Sequence, residues 1–224
     1  FLMSAPTMSR TWSTGGNPWF AVTLGLLGLI VGYSAASFQG GSLGSPPVAQ
    51  IPSAPLPPPP PPPAGDVPPV DPSVDHIRGN VKANIFVIEY SDFECPFCKR
   101  HHPTMQQLVD DYDGKVAWVY RHFPLGFHQN AEPAAIASEC ATDLGGNDGF
   151  WTFTDLIFDK GFAFTAHAKE MGLNEKKFAD CVSSGKFKQK VQDQMNGGSQ
   201  AGVDGTPGSV IYNPKTKKGE VISG

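Results

Sequence analysis

FVIEYSDFECPFCKR, residues Phe86 to Arg100, is the stretch on which the fold turns. From Asn84 to Ser91 (NIFVIEYS) β-branched and aromatic residues dominate, and the run reads as a buried strand. From Cys98 to Tyr112 the apolar residues Met105, Leu108 and Val109 recur at helical spacing. The pair Cys95 and Cys98, spaced C-x-x-C, thus falls where a strand hands over to a helix through a short loop. At a helix N-terminus, unpaired N–H groups and the positive end of the macrodipole favour thiolate over thiol. Cys95 is therefore the expected nucleophile, its sulfur exposed at the junction. Cys98, one turn on and deeper, is the expected resolving thiol that attacks a mixed disulfide at Cys95. Pro96 suits the first helical turn, where a missing N–H costs nothing, and Phe97 adds apolar surface beside the reactive sulfur.

Outward from this stretch, Lys115 to Phe123 (KVAWVYRHF) reads as a second strand. A helical region follows from about Ala131 to Val191, punctuated by Gly145-Gly146, Gly161 and Gly172. Gly208 to Tyr212 and Gly219 to Ile222 read as two late strands joined by a turn at Asn213-Pro214-Lys215. The order is that of an α/β fold with a helical insertion at about residues 129–200. The globular domain is expected over residues 75–224, and because the chain stops just after a late strand it reads as a piece lacking a terminal helix.

The 22 prolines and 25 glycines among 224 residues are too many for a compact domain, so the excess must be local. It lies in residues 39–74, a low-complexity linker with an unbroken run from Pro57 to Pro63. Such a segment favours extended polyproline II, rising about 3.1 Å per residue, and serves as a semi-rigid spacer. Before it, no charged residue occurs between Arg10 and Asp66, and Pro18 to Phe38 reads PWFAVTLGLLGLIVGYSAASF. Residues 17–38 meet the roughly 20 needed to cross a bilayer, with Trp12, Trp19 and Tyr33 near the ends. Arg10 places residues 1–16 in the cytoplasm and everything after residue 38 outside. Ser34-Ala35-Ala36 offers a cleavage site, so a signal peptide competes with an uncut anchor; the tether-like linker favours the anchor. With a formal charge of −4 and scattered basic residues, nothing marks a nucleic-acid surface.

Other chemistries compete for the same residues. A C-x-x-C can be half a zinc site, but Cys140 and Cys181 stand alone rather than as a second pair, so no metal is expected. Cys140 and Cys181 fall in separate helical segments, and in an oxidising compartment they are expected to join as a staple; two buried free thiols are the alternative. His101 and His102 follow Cys98 and suggest copper, yet adjacent helical residues point to different sides, so we read both as solvent-facing. His122 and His128 flank Phe123-Pro124-Leu125 and are expected to hydrogen-bond locally.

The segments IEYSDFECPFC, YRHFPLGFHQNA and DGTPGSVIYN, in that order, resemble the DsbA-like branch of the thioredoxin superfamily over roughly Val74 to the end. The resemblance implies a thioredoxin-like fold and a protein thiol–disulfide oxidoreductase that needs no cofactor. It further implies that Thr206-Pro207 is cis and faces the cysteines, leaving the Thr206 backbone free to pair with a substrate chain. Glu89, six residues before Cys95, matches a buried acid of such proteins; burial should raise its pKa so that it relays a proton to Cys98. Oxidising members often carry a histidine where this chain has Phe97, a departure that leaves the redox direction open. The expected substrates are reduced exported proteins, and the expected reoxidant is a membrane partner of the DsbB or VKOR type. A reductase or isomerase of the same fold, or a copper-binding chaperone, is the alternative.

Overall fold

The computed structural model describes residues 64–223. Ile85–Ser91 (β2) is the middle of five strands, with His76–Gly79 (β1), Val116–His122 (β3), Gly208–Asn213 (β4) and Lys218–Ser223 (β5) in the order β1-β3-β2-β4-β5. β2 and β3 are parallel and joined by the helix Pro96–Asp111 (α1); the other three pairings are antiparallel. Between β3 and β4 come the helices Ala131–Lys160 (α2), Phe164–Glu170 (α3), Glu175–Ser184 (α4) and Lys188–Ala201 (α5). This is the thioredoxin-like α/β sheet with a helical insertion that the sequence predicts. At Gly146, where the sequence predicts punctuation, α2 breaks with φ +66°, a backbone region that glycine enters without strain.

The alternation of β2 sorts its side chains between two cores. Phe86, Ile88 and Tyr90 face one side with Ala117, Val119, Val210 and Tyr212. Val87, Glu89 and Ser91 face the other, where register pairs them with Trp118, Tyr120 and His122 and the helical insertion packs on top. That second core also holds Cys95 and Cys98, so Glu89 lands under the cysteines because it is odd-numbered on this strand. Within the insertion, Cys140 and Cys181 are joined by a disulfide across α2 and α4.

The domain begins earlier than the boundary at Asp75 read from composition. Ala64, Val67 and Val70 pack on the first core, and Ala64 N donates to Gly219 O at 3.1 Å and Gly65 N to Ala201 O at 3.0 Å. Arg121 clamps this segment: its guanidinium donates to the Pro68 and Pro69 carbonyls at 2.9 and 3.0 Å and, through Nε and Nη2, to the Asp75 carboxylate at 2.9 Å each. Proline-rich composition hid this strap because it signals a spacer, whereas the apolar residues between the prolines find a partner only on the folded sheet. α5 lies against the same core so closely that a Cβ on Gly198 would stand 2.6 Å from the Tyr90 ring.

β1, four residues long and reading HIRG, has no alternating pattern that marks it in the sequence. The expected cytoplasmic segment, the membrane span at residues 17–38 and most of the linker lie outside the described residues. Among the described residues no helix is long and apolar enough to cross a membrane.

Candidate active site

α1 starts at Pro96, which leaves Cys95 at the N-cap with extended backbone, φ −69° and ψ 121°. The local sequence dictates this start: proline is pre-set for the first helical position, and the preceding residue is pushed out of the helical region. Cys95 O accepts from Lys99 N at 3.1 Å, and Cys95 N donates to Asp92 O at 3.1 Å, which closes the loop after β2. Both Cys95 and Cys98 are free thiols.

The Thr206–Pro207 peptide is cis, and the Cys95 thiol donates to Thr206 O across 3.4 Å. This is also why Cys95 is less open than its place in sequence suggests. Only 4% of it is exposed, since the Thr206–Pro207 loop lies over the sulfur; Cys98, one turn in, is wholly buried. A cavity at the Thr206–Pro207 loop, about 150 Å³, is bordered by Val203, Val221 and Ile222. Phe97 is 60% exposed, with the Arg100 guanidinium 4.5 Å from its ring centroid.

Beneath the cysteines, Glu89 is buried in the second core. Burial pushes its carboxyl up to about 7; Ser91 and Trp118 pull the other way. Their pull is weak, because Ser91 Oγ, Trp118 Nε1 and Glu89 Oε2 all lack a partner with hydrogen-bond geometry. Burial likewise pushes the Cys98 thiol up to about 12, eased by the Asp92 backbone and Ser91 and reinforced by the charges of Glu89 and Cys95. Tyr120 is held well above the ordinary phenol range by burial first and then by Glu89 and Cys98. Three acidic groups of different kinds thus share a pocket in which none ionises readily.

Sequence reasoning missed the loop's anchor. The buried Asp92 carboxylate accepts from Glu94 N at 2.7 Å, Leu125 N at 2.8 Å and His128 Nδ1 at 2.8 Å, tying the cysteine loop to the segment after β3. Glu94 Oε2 adds a second tie by accepting from Asn130 N at 2.6 Å. The signal for Asp92 was present, since an Asp followed two residues on by its own N–H partner is an Asx turn.

Two histidine readings need correction. His102 is not solvent-facing: it is buried between Trp118 and Phe158, with Nε2 at 2.7 Å from Asp155 Oδ1. His101 is half-buried. Neither joins the cysteines in a group of three converging ligand atoms among the described residues. His128 does bond nearby, but the partner of His122 is Glu139, on α2, at 3.1 Å.

A family model described as thioredoxin matches residues 72–220 of this chain. The chain belongs to that family. Its strand order, helical insertion and cis-proline loop make it a DsbA-like member of the thioredoxin superfamily. DsbA2 of Pseudomonas aeruginosa is similar to it with a TM-score of 0.59 and 28% identity, over 67% of this chain and 86% of that one. BdbD of Bacillus subtilis shares the fold with a TM-score of 0.59 at 21% identity, over 72% of this chain and 90% of that one. Na(+)/H(+) antiporter NhaA 1 of Salinispora arenicola is 32% identical over 145 residues, which are 62% of this chain. Those residues are 22% of the antiporter, so this chain spans about a fifth of the length of the curated relatives it matches.

Proposed function

We propose that this thioredoxin-family chain is a protein thiol–disulfide oxidoreductase that works through Cys95 and Cys98 on reduced exported proteins. The observation that carries the reading is the N-cap sulfur of Cys95 at 3.4 Å from the carbonyl of the cis Thr206–Pro207 peptide, with Cys98 buried behind it.

With the pair oxidised, a substrate thiolate attacks Cys95 Sγ. A substrate–Cys95 bond forms, the Cys95–Cys98 bond breaks, and its electron pair passes to Cys98 Sγ. Because burial pushes the Cys98 thiol up to about 12, that sulfur takes a proton, and Glu89, pushed up to about 7, supplies it from within. The substrate's second thiolate then attacks the mixed disulfide and Cys95 leaves as thiolate. The substrate has lost two electrons, the Cys95–Cys98 pair has gained them, and a membrane partner of the DsbB or VKOR type takes them on. Thr206 backbone pairs with the substrate chain, and the exposed ring of Phe97, between the two cysteines in sequence, gives it apolar ground.

The domain is placed outside the cytoplasm, held at the membrane by residues 17–38 through the proline-rich spacer. Hydropathy, Arg10 and the Cys140–Cys181 disulfide support this, since structural disulfides persist in oxidising compartments. Labelling of intact cells with a membrane-impermeant thiol reagent, after mild reduction, should reach the domain; protection until lysis rejects the placement.

The deciding experiment pairs trapping with a potential. Cys98→Ala is expected to accumulate a mixed disulfide with a disulfide-bonded test protein, whose disulfide the Cys95 thiolate attacks and whose second sulfur leaves as thiolate, and Cys95→Ala to accumulate none. A reduction potential near about −120 mV against glutathione supports oxidation, and one near about −270 mV makes the chain a reductase. Absence of any trapped species rejects the assignment.

A further inference from the structure

Away from the cysteines, three side chains from three elements converge. His76 opens β1, His122 closes β3 and Glu139 lies in α2, and all three are buried. His76 Nε2 stands 2.7 Å and His122 Nε2 3.1 Å from the same oxygen, Glu139 Oε1, and the three ligand atoms lie within 4.8 Å of one another. Donor atoms around a tetrahedral metal with bonds of about 2.0–2.1 Å sit about 3.3 Å apart, so His76 and His122 need move only about 0.6 and about 0.2 Å from Glu139 Oε1 to reach ligand spacing.

A cation already sits against the cluster. Lys190 Nζ lies 2.7 Å from Glu139 Oε2, 3.0 Å from Val74 O and 3.4 Å from His76 Nε2. Its last contact is no hydrogen bond: an ammonium only donates, and the Nε2–H of His76 is given to Glu139. Lys190 is thus a positive charge resting on the Glu139 carboxylate and the Val74 carbonyl beside His76, and at 23% side-chain exposure it has a way out to solvent. The cavity into which it would withdraw, about 280 Å³, also borders His76 and Glu139. His76 is pre-oriented by stacking on Phe150, centroids 3.6 Å apart and planes 5° from parallel.

We propose that His76, His122 and Glu139 form a three-ligand site for a borderline divalent transition metal, foremost Zn²⁺, for whose Glu139 carboxylate the Lys190 ammonium competes. Two imidazoles and one carboxylate select this class over Ca²⁺ or Mg²⁺, which prefer all-oxygen sites.

The test uses the full chain with Cys95 and Cys98 oxidised, so that no free thiolate competes for metal. Zn²⁺ is titrated by competition with a chromogenic chelator, and Co²⁺ serves as the spectroscopic probe. The expected results are one Zn²⁺ per chain, a raised melting temperature, and visible Co²⁺ bands of four- or five-coordinate strength. His76→Ala should weaken binding about a hundredfold. Lys190→Ala, at a partly exposed position, should tighten it about tenfold by removing the competing charge. A wild-type chain that takes up no Zn²⁺, a Lys190→Ala chain that binds more weakly, or a His76→Ala chain that binds like wild type overturns the proposal.

Discussion

Glu89→Gln changes one atom and removes one titration, and the structure sets what should follow. The carboxyl is buried in the folded chain and burial pushes it from an ordinary 4.5 up to about 7. In the unfolded chain it returns to the ordinary value. The folded state therefore binds the proton more tightly, so the stability that the neutral acid permits is whole below about pH 4.5 and is lost as pH rises through about 7. At 1.36 kcal/mol per unit, the loss totals about 3 kcal/mol. Gln carries no such loss. Urea unfolding of wild type and Glu89→Gln, each with Cys140–Cys181 intact and Cys95 and Cys98 reduced, should be measured from pH 4 to 8.5. The variant-minus-wild-type difference should climb by about 3 kcal/mol across that range, most of it between pH 5 and 7. Titrations of His76, His122 and Glu139 cancel in the difference because both proteins share them. A difference that stays flat with pH refutes the burial argument, and with it the proton donor assigned to Cys98.

Three further outcomes test other parts of the structure. Replacing Cys140 and Cys181 together by Ser opens a loop with a sequence separation of 41 and should cost about 4 kcal/mol in the chain-entropy model, read by denaturant midpoint; a cost below about 1 kcal/mol counts against that account. Arg121→Met strands the Asp75 carboxylate and frees the Pro68 and Pro69 carbonyls, so stability should fall by about 3–5 kcal/mol. Amide exchange at residues 64–70 should quicken in that variant more than in β2, and uniform quickening would deny the clamp. Asp92→Ala leaves Glu94 N, Leu125 N and His128 without their acceptor and should cost about 2–3 kcal/mol while slowing oxidation of a reduced test protein; Asp92→Asn, which keeps an acceptor oxygen, should retain more of both.

Much of this chain is legible from its residues because the governing physics is local. The β-branched run of β2, the helical spacing after Cys98 and the proline at the first helical position place Cys95 at a strand-to-helix junction before any tertiary contact is known. Turn residues likewise mark the late hairpin and the breaks at Gly146 and Gly161. Glu89 is legible too, since the strand period sends an odd-numbered residue to one face, though only the packed insertion shows that face to be the buried one.

What remained hidden depends on partners far away in sequence. Sequence separation gives no sign that His76 will meet Glu139, 63 residues on, or that Asp92 will hold a loop 33 residues on. Burial of His102 required Trp118 and Phe158 to close over it, and the strap at residues 64–70 required a finished sheet to lie on. Composition and periodicity report what a segment prefers by itself, so the sequence alone determined β2, β3, the late hairpin and the place of the Cys95–Cys98 pair at the start of α1. The tertiary structure decided which polar groups lose water together, and that loss is what moves Glu89 and Cys98 away from their ordinary ionisation.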